Sequence, residues 1–254
     1  MTEVAAAAQE GAPSCAKGVP MLPPVAVFDL DGTLVDTAPD LCASLNHCLA
    51  SAGMGALPLE RVRPHAGHGS RVMLAKAYEW DGRTIEGAAL DREVARFLEH
   101  YAENIAVDSR PFPGVLQAMD RLEAAGWRLA ICTNKYERFA VKLIAALGLS
   151  HRFEAVCGAD TFATRKPDAG HLLGTIDRAR GARERSVMIG DTSTDIDAAA
   201  NAGVPSILLD FGYDPEPRAR ERATTIIAHY DQLDAALLDR LLAEAGTGRR
   251  TSAG

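Results

Sequence analysis

Two aspartates separated by a single leucine, Asp29 and Asp31, close an uninterrupted apolar run, Val25-Ala-Val-Phe28. In an extended chain residues two apart point to the same side, so both carboxylates face one spot just past a strand end. Carboxylates held side by side repel and need a shared proton, a nearby cation or a metal. Oxygen-only donors suit a hard ion such as Mg²⁺, which binds through one or two carboxylates plus a substrate phosphate. A carboxylate beside that ion can attack phosphorus and form an aspartyl-phosphate. The second carboxylate can protonate the leaving oxygen and later activate water. Gly32 lets the backbone turn and approach a ligand, and Thr33 adds a hydroxyl and an N–H. A calcium loop does not fit: that motif puts Gly sixth and Glu twelfth, whereas Gly32 is fourth and the twelfth residue is Asp40.

Three later clusters can be set beside the first. Thr133 follows the apolar Ile131-Cys132, where a hydroxyl could bond a phosphate oxygen. Lys166, in Arg165-Lys-Pro167, could neutralise phosphate and nucleophile charge; Arg165 reads as a solvated side chain. Asp191 ends the apolar Val187-Met-Ile-Gly190 as Asp29 ends its own run, and could supply a further carboxylate to the metal. Asp195, one helical turn on, could order metal waters or Lys166. Asp197 fits an acid decorating a helix start.

These residues need a scaffold that brings strand ends together. Apolar strands at 25–28, 127–132, 154–157, 186–190 and 205–209 alternate with helical patterns at 115–125, 139–147, 168–179, 196–202 and 233–244. Such alternation predicts an α/β fold, a Rossmann-like, doubly wound, mainly parallel sheet, which binds ligands beyond the carboxyl ends of its strands. The helix after Asp36 is predicted to open at Thr37 as its cap, with Pro39 and Asp40 in the first turn, and to stop near Gly53. Between there and Ser109 only helical patterns appear, around 72–80 and 90–105. The expected organisation is a catalytic core at 25–36 and 110–245, an inserted all-helical cap at 37–109, a disordered arm at 1–24 and a disordered tail at 246–254.

The 254 residues suffice for one large core or for a core with a smaller second domain. A net charge of −7 argues against a nucleic-acid partner, which needs clustered Lys and Arg. Five scattered cysteines with no Cys-x-x-Cys pair suggest reduced thiols in a cytoplasmic protein. No apolar run is long enough to span a membrane, and the Ala-, Gly- and Pro-rich start lacks the pattern of a secretory signal. The expected partner is a small phosphorylated metabolite, bound by a monomer or a homodimer.

The order Asp-x-Asp-Gly-Thr, then Thr133, then Lys166-Pro, then Gly-Asp191-x-x-x-Asp195 resembles the haloacid dehalogenase superfamily over about residues 25–240. The resemblance implies Asp29 as nucleophile and Asp31 as general acid/base. It implies Thr33, Thr133 and Lys166 around the phosphate, with Mg²⁺ on Asp29, Asp191 and the Asp31 carbonyl, supported by Asp195. An acid two residues after the nucleophile points to phosphatases and mutases, since dehalogenases lack it. Thr133-Asn-Lys135, Met188-Ile-Gly-Asp191, Gly212-Tyr213 and the cap segment Gly67-His-Gly-Ser70 look like the bacterial phosphoglycolate phosphatase group. That implies 2-phosphoglycolate as substrate, with another sugar phosphate, such as N-acetylmuramic acid 6-phosphate, or a phosphomutase reaction as alternatives; a non-catalytic phosphate-binding protein ranks last. Asn134 and Lys135 read as loop-shaping. In the cap, His68 and Arg71 are the candidates for reading substrate, because an arginine can fork onto a carboxylate.

Overall fold

In a computed structural model that describes residues 21–213 and 215–251, Val25–Phe28 forms β1, the strand on which the molecule is centred. All four of its residues are fully buried. Ala26 and Phe28 point into one apolar cluster and Val25 and Val27 into another, as a strand covered on both faces requires. After β1 the chain turns at Gly32 into β2 (Val35–Asp36), then enters α1 (Ala38–Ser51), α2 (Leu59–Val62), a 3₁₀ turn (Arg63–His68), α3 (Ser70–Trp80) and α4 (Gly87–Glu103). It returns through β3 (Arg110–Pro111), α5 (Val115–Ala124), β4 (Arg128–Cys132), α6 (Glu137–Ala146) and β5 (Ala155–Cys157). Then follow α7 (Ala169–Arg178), β6 (Ser186–Gly190), α8 (Ser193–Ala202), β7 (Ser206–Leu209), α9 (Pro217–Arg222), β8 (Thr225–Ile227) and α10 (Ala235–Thr251).

Six strands make one parallel sheet in the order β5-β4-β1-β6-β7-β8. The chain order reverses at β1, the kind of switch point where open α/β sheets bind ligands. The register pairs Phe28 with Ile131 on one side and with Ile189 on the other. Asp29 therefore emerges between the ends of β4 and β6, with Thr133 and Asp191 just beyond those ends. Helices α5, α6 and α10 cover one face, and α7 and α8 the other.

The helices from α1 to α4 pack on one another around Leu45, Leu49, Met73, Leu74 and Phe97. Two linkers join this helical cap to the sheet, and they pair as the antiparallel ribbon β2–β3. Asp40, expected as an ordinary first-turn acid, is buried. It accepts hydrogen bonds from the backbone N–H groups of Asp108 (2.9 Å) and Ser109 (2.8 Å) and from the Ser109 hydroxyl (2.6 Å). It thus staples the outgoing linker to the returning one.

Several boundaries differ from the sequence-based expectation. Residues 1–20 of the expected arm lie outside the described residues. The chain is already docked at Pro23 and Pro24, whose carbonyls accept the N–H groups of Ala182 (3.0 Å) and Arg128 (2.9 Å). The expected tail from Gly246 is helical as far as Thr251, because α10 is anchored upstream by Leu237, Leu238 and Leu241, and extending a formed helix costs little. Residues 252–254 lie outside the described residues. Pro167 precedes the cap of α7 and is not in its first turn; Asp168 is the cap, accepting the Gly170 N–H at 2.7 Å. The short elements α2, α9, β2, β3 and β8 carry too few apolar residues to show a period; α9 buries only Ala219. Among the described residues no helix is long and apolar enough to cross a membrane.

Candidate active site

Register alone puts Asp29 and Asp191 at neighbouring strand ends, and α8, starting at Ser193, brings Asp195 back over them. Ligand atoms of Asp29, Asp191 and Asp195 lie within 4.8 Å of one another, and all three side chains are buried. Lys166 reaches in from the loop before α7. Its Nζ stands 2.5 Å from Asp195 Oδ1 and 3.0 Å from Asp29 Oδ1. The approach to Asp29 is out of line for hydrogen bonding, so Asp29 Oδ1 is buried without a hydrogen-bond partner. Burial works against the Lys166 ammonium, but Asp195 and Asp29 outweigh it and hold its pKa above the usual lysine value. Burial pushes the Asp29 carboxyl up to about 6 against the pull of Lys166. Burial, then the charges of Asp195 and Asp29, push Asp191 well above the carboxylate range.

Three buried carboxylates thus face one ammonium. An all-oxygen cluster with excess negative charge and an unengaged oxygen fits a hard divalent cation such as Mg²⁺. The packing leaves no slack here: a Cβ on Gly32 would lie 2.3 Å from Asp191 Oδ2, and one on Gly212 would lie 2.1 Å from Asp191 Cβ. Gly32 also has φ +83°, so glycine is required there on both counts.

Thr33 meets a partner within the acid cluster. Its hydroxyl is fully buried and donates to Asp191 Oδ1 at 2.7 Å, so it orients that carboxylate. The turn at Gly32 aims it sideways toward β6. Thr133 is buried beside Asp29, where its hydroxyl favours the ionised carboxylate. Asp31 is not part of that three-acid cluster and is held by two partners of its own. Thr37 Oγ1 donates to its Oδ1 at 2.6 Å, and Lys135 Nζ lies 3.0 Å from each of its oxygens. Thr37 therefore caps no helix N–H of its own. The N–H groups of Thr37 and Ala38 go to the Tyr213 hydroxyl, at 2.6 and 2.8 Å, and the Tyr213 N–H donates to Asp191 Oδ2 at 2.9 Å. One tyrosine ties the first cap helix to the acid cluster.

Lys135, Tyr213 and His171 were not expected as site residues. Lys135 offered a signal, its place two residues after Thr133. His171 is fully buried, and its Nδ1 accepts the Lys166 N–H at 3.1 Å. Burial and the Lys166 charge push its pKa down to about 4, so the ring is neutral. Asn134, read as loop-shaping, donates to the Lys166 carbonyl at 3.0 Å.

A cavity of about 100 Å³ opens above Asp29 and Lys166. The cap contributes Gly67 and His68 from its 3₁₀ turn, and Glu216 faces in from the segment before α9. Arg71 is not there. It lies exposed on α3 in an ion pair with Asp91 of α4, because the helix that starts at Ser70 turns it to the outer face. Of the two cap candidates, the fold brings only His68 to the site.

The sequence profile of the haloacid dehalogenase-like hydrolases matches residues 26–209. A phosphoglycolate phosphatase of Mesorhizobium japonicum is 48% identical over 223 residues, covering 88% of this chain and 98% of that protein. One from Agrobacterium fabrum is 44% identical over 223 residues, covering 88% and 96%. A solved structure described as a predicted phosphoglycolate phosphatase from Haemophilus somnus 129pt superposes with a TM-score of 0.73 at 27% identity, covering 81% of this chain and 94% of that one.

Proposed function

The chain belongs to the haloacid dehalogenase-like hydrolases, and from that premise we propose that it is a phosphoric monoester hydrolase acting on 2-phosphoglycolate. The observation that carries the chemistry is Asp29: a buried carboxylate whose Oδ1 no hydrogen bond engages, at the floor of the cavity and 3.0 Å from Lys166. Asp29 attacks phosphorus and becomes the aspartyl-phosphate. Lys166 offsets charge on the nucleophile and the transferring oxygens, and Thr133 keeps the carboxylate ionised. Asp31 gives its proton to the departing alkoxide, then takes one from the water that hydrolyses the aspartyl-phosphate. Asp29, Asp191 and the Asp31 carbonyl would hold Mg²⁺, with Asp195 keeping Lys166 in place; the ion would neutralise charge on the phosphoryl group.

The substrate assignment draws on the relatives and on size. Both relatives described above carry that activity in their names, at 48% and 44% identity. A cavity of about 100 Å³ is far below the several hundred Å³ of pockets for drug-sized ligands, which suits a small phosphorylated acid. His68 faces the leaving-group end and would meet its carboxylate. A sugar phosphate is the second reading, favoured by one feature: Glu216 shares that end of the cavity and would repel a carboxylate while accepting from hydroxyls. The test is kcat/KM over 2-phosphoglycolate, glycerol phosphates and hexose phosphates, with isomer analysis of products to exclude a mutase. Preference for 2-phosphoglycolate is the expected outcome; preference for a polyol phosphate selects the second reading. The reading involves no nucleic acid and no membrane, and places the enzyme in the cytoplasm as a monomer or homodimer.

A further inference from the structure

Lys135 is a buried cation for which the reaction as described has no use. Its ammonium touches both oxygens of Asp31, at 3.0 Å each, and its side chain is 7% exposed. On its other side lies a ring from the cap: Tyr101 of α4, with the ammonium 4.5 Å from the ring centroid. Tyr101 is itself almost wholly buried and held edge-on by Phe139 of α6. Burial works against this lysine's charge, but Asp31 and Tyr101 outweigh it and keep it protonated. The ammonium is thus sandwiched between the candidate acid/base of the core and an aromatic face of the cap.

Two consequences follow from general physics. A cation bonded to both oxygens of a carboxylate restricts its rotation, which one bond from Thr37 would not do. A ring laid over the cation excludes water, and removing water strengthens both the ion pair and the cation–π contact. We propose that Lys135 is the positioning residue for Asp31, and that Tyr101 makes this positioning depend on the cap being closed. Asp31 is held for proton transfer only while α4 lies over Lys135; when the cap lifts, the ammonium meets water and its grip loosens. Cap closure over a substrate would then do more than shield the cavity, since it would also set the acid/base. The inference rests on the phosphatase reading, but not on which phosphate ester is the substrate.

The experiment separates the step that needs a proton from the one that does not. A p-nitrophenolate leaving group departs without protonation, whereas an alkoxide needs Asp31. Hydrolysis of the aspartyl-phosphate needs Asp31 with either ester. In Lys135→Met, kcat for an alkyl phosphate that the native enzyme hydrolyses should fall about 10²-fold with KM nearly unchanged. With p-nitrophenyl phosphate, stopped flow should show a burst of p-nitrophenol close to one equivalent of enzyme, at the native rate, followed by slow turnover. Lys135→Arg, which can fork onto the same carboxylate, should recover most of kcat. Tyr101→Phe keeps the ring and should behave as native, while Tyr101→Leu should lower kcat several-fold. If Lys135→Met does not purify folded, Lys135→Gln takes its place with the same outcomes. Native kcat for the alkyl ester in Lys135→Met or Tyr101→Leu, a burst in Lys135→Met slowed as much as kcat, or no recovery with arginine would overturn the inference. A native enzyme that hydrolyses no phosphate ester would instead overturn the phosphatase reading.

Discussion

The floor and the roof of the active-site cavity are built by different means. On the floor, Asp29, Thr133 and Asp191 leave adjacent strands of one ladder, and neighbouring side chains hold the carboxylates. Lys166 stands against Asp29 and Asp195, Thr33 and Tyr213 hold Asp191, and His171 holds the Lys166 backbone. The roof is a 3₁₀ turn ending at His68 and Gly69, both exposed, whose first residue, Arg63, bonds Asp36 of β2 at 2.8 Å. Tyr101, deeper in the cap, and Thr37 and Tyr213, at its root, connect the two with buried contacts. A floor set by hydrogen-bonded register keeps its geometry when side chains around the rim change. A roof presented on a short turn can change its leaving-group contacts without disturbing the phosphate end. The difference separates where chemistry is held from where substrates are told apart.

The comparison can be broken most severely at the floor. Asp29→Asn should abolish turnover, a loss of about 10⁴-fold or more, because an amide cannot form the acyl-phosphate. Its thermal stability should rise, since a buried carboxylate pushed up to about 6 is relieved of its charge. Measurable turnover in a folded Asp29→Asn protein would refute the assigned nucleophile.

Next in size is the effect of metal. Asp29, pushed up to about 6, and Asp191, raised well above the carboxylate range, both titrate above their unfolded value. Folded-state pKa values raised in this way favour folding below about pH 4 and cost stability as pH climbs through 6. Metal-free protein should therefore lose thermal stability over that window. Mg²⁺ should restore stability at neutral pH, and chelation should stop activity. Melting curves with and without Mg²⁺ that coincide at pH 7 would count against a metal on these carboxylates.

Tyr213→Phe probes the joint between floor and roof. It removes the acceptor of the Thr37 N–H and leaves the Ala38 N–H only the longer bond to Asp36, at a cost of about 1–3 kcal/mol in unfolding free energy. Because its backbone bond to Asp191 survives, kcat should change less than KM. A kcat loss larger than the KM change would mean that the joint acts on the floor.

The smallest effects belong to the roof. His68→Ala should raise KM for 2-phosphoglycolate several-fold and leave kcat near native. Arg71→Ala should alter neither, and should shift stability by less than about 0.5 kcal/mol, because its ion pair with Asp91 is exposed. If Arg71→Ala weakened substrate binding, the cap would have to close differently from the arrangement seen here.

Much of the floor was legible before any coordinates. Asp29 and Asp191 each end an apolar run, and Lys166 precedes a helix, so local pattern marks them as strand-end and loop residues in an α/β sheet. The layer order follows from the same alternation, since a run buried on both faces can only be a central strand. Short pieces escaped notice because a period needs several turns or strand positions to show, and β2 and β3 have two residues each.

What sequence alone determined is which side chains end the buried strands, because burial and period are written in neighbouring residues. Tertiary structure decided where those side chains point and what they meet. Thr33 bonds a carboxylate 158 positions away. Lys135 meets an acid 104 positions earlier and a cap ring besides. Arg71 faces solvent whereas His68, three residues before it, lines the cavity, because a 3₁₀ turn gives way to an α-helix between them. Such pairings depend on directions set by the packing of whole elements, and no local spacing encodes them.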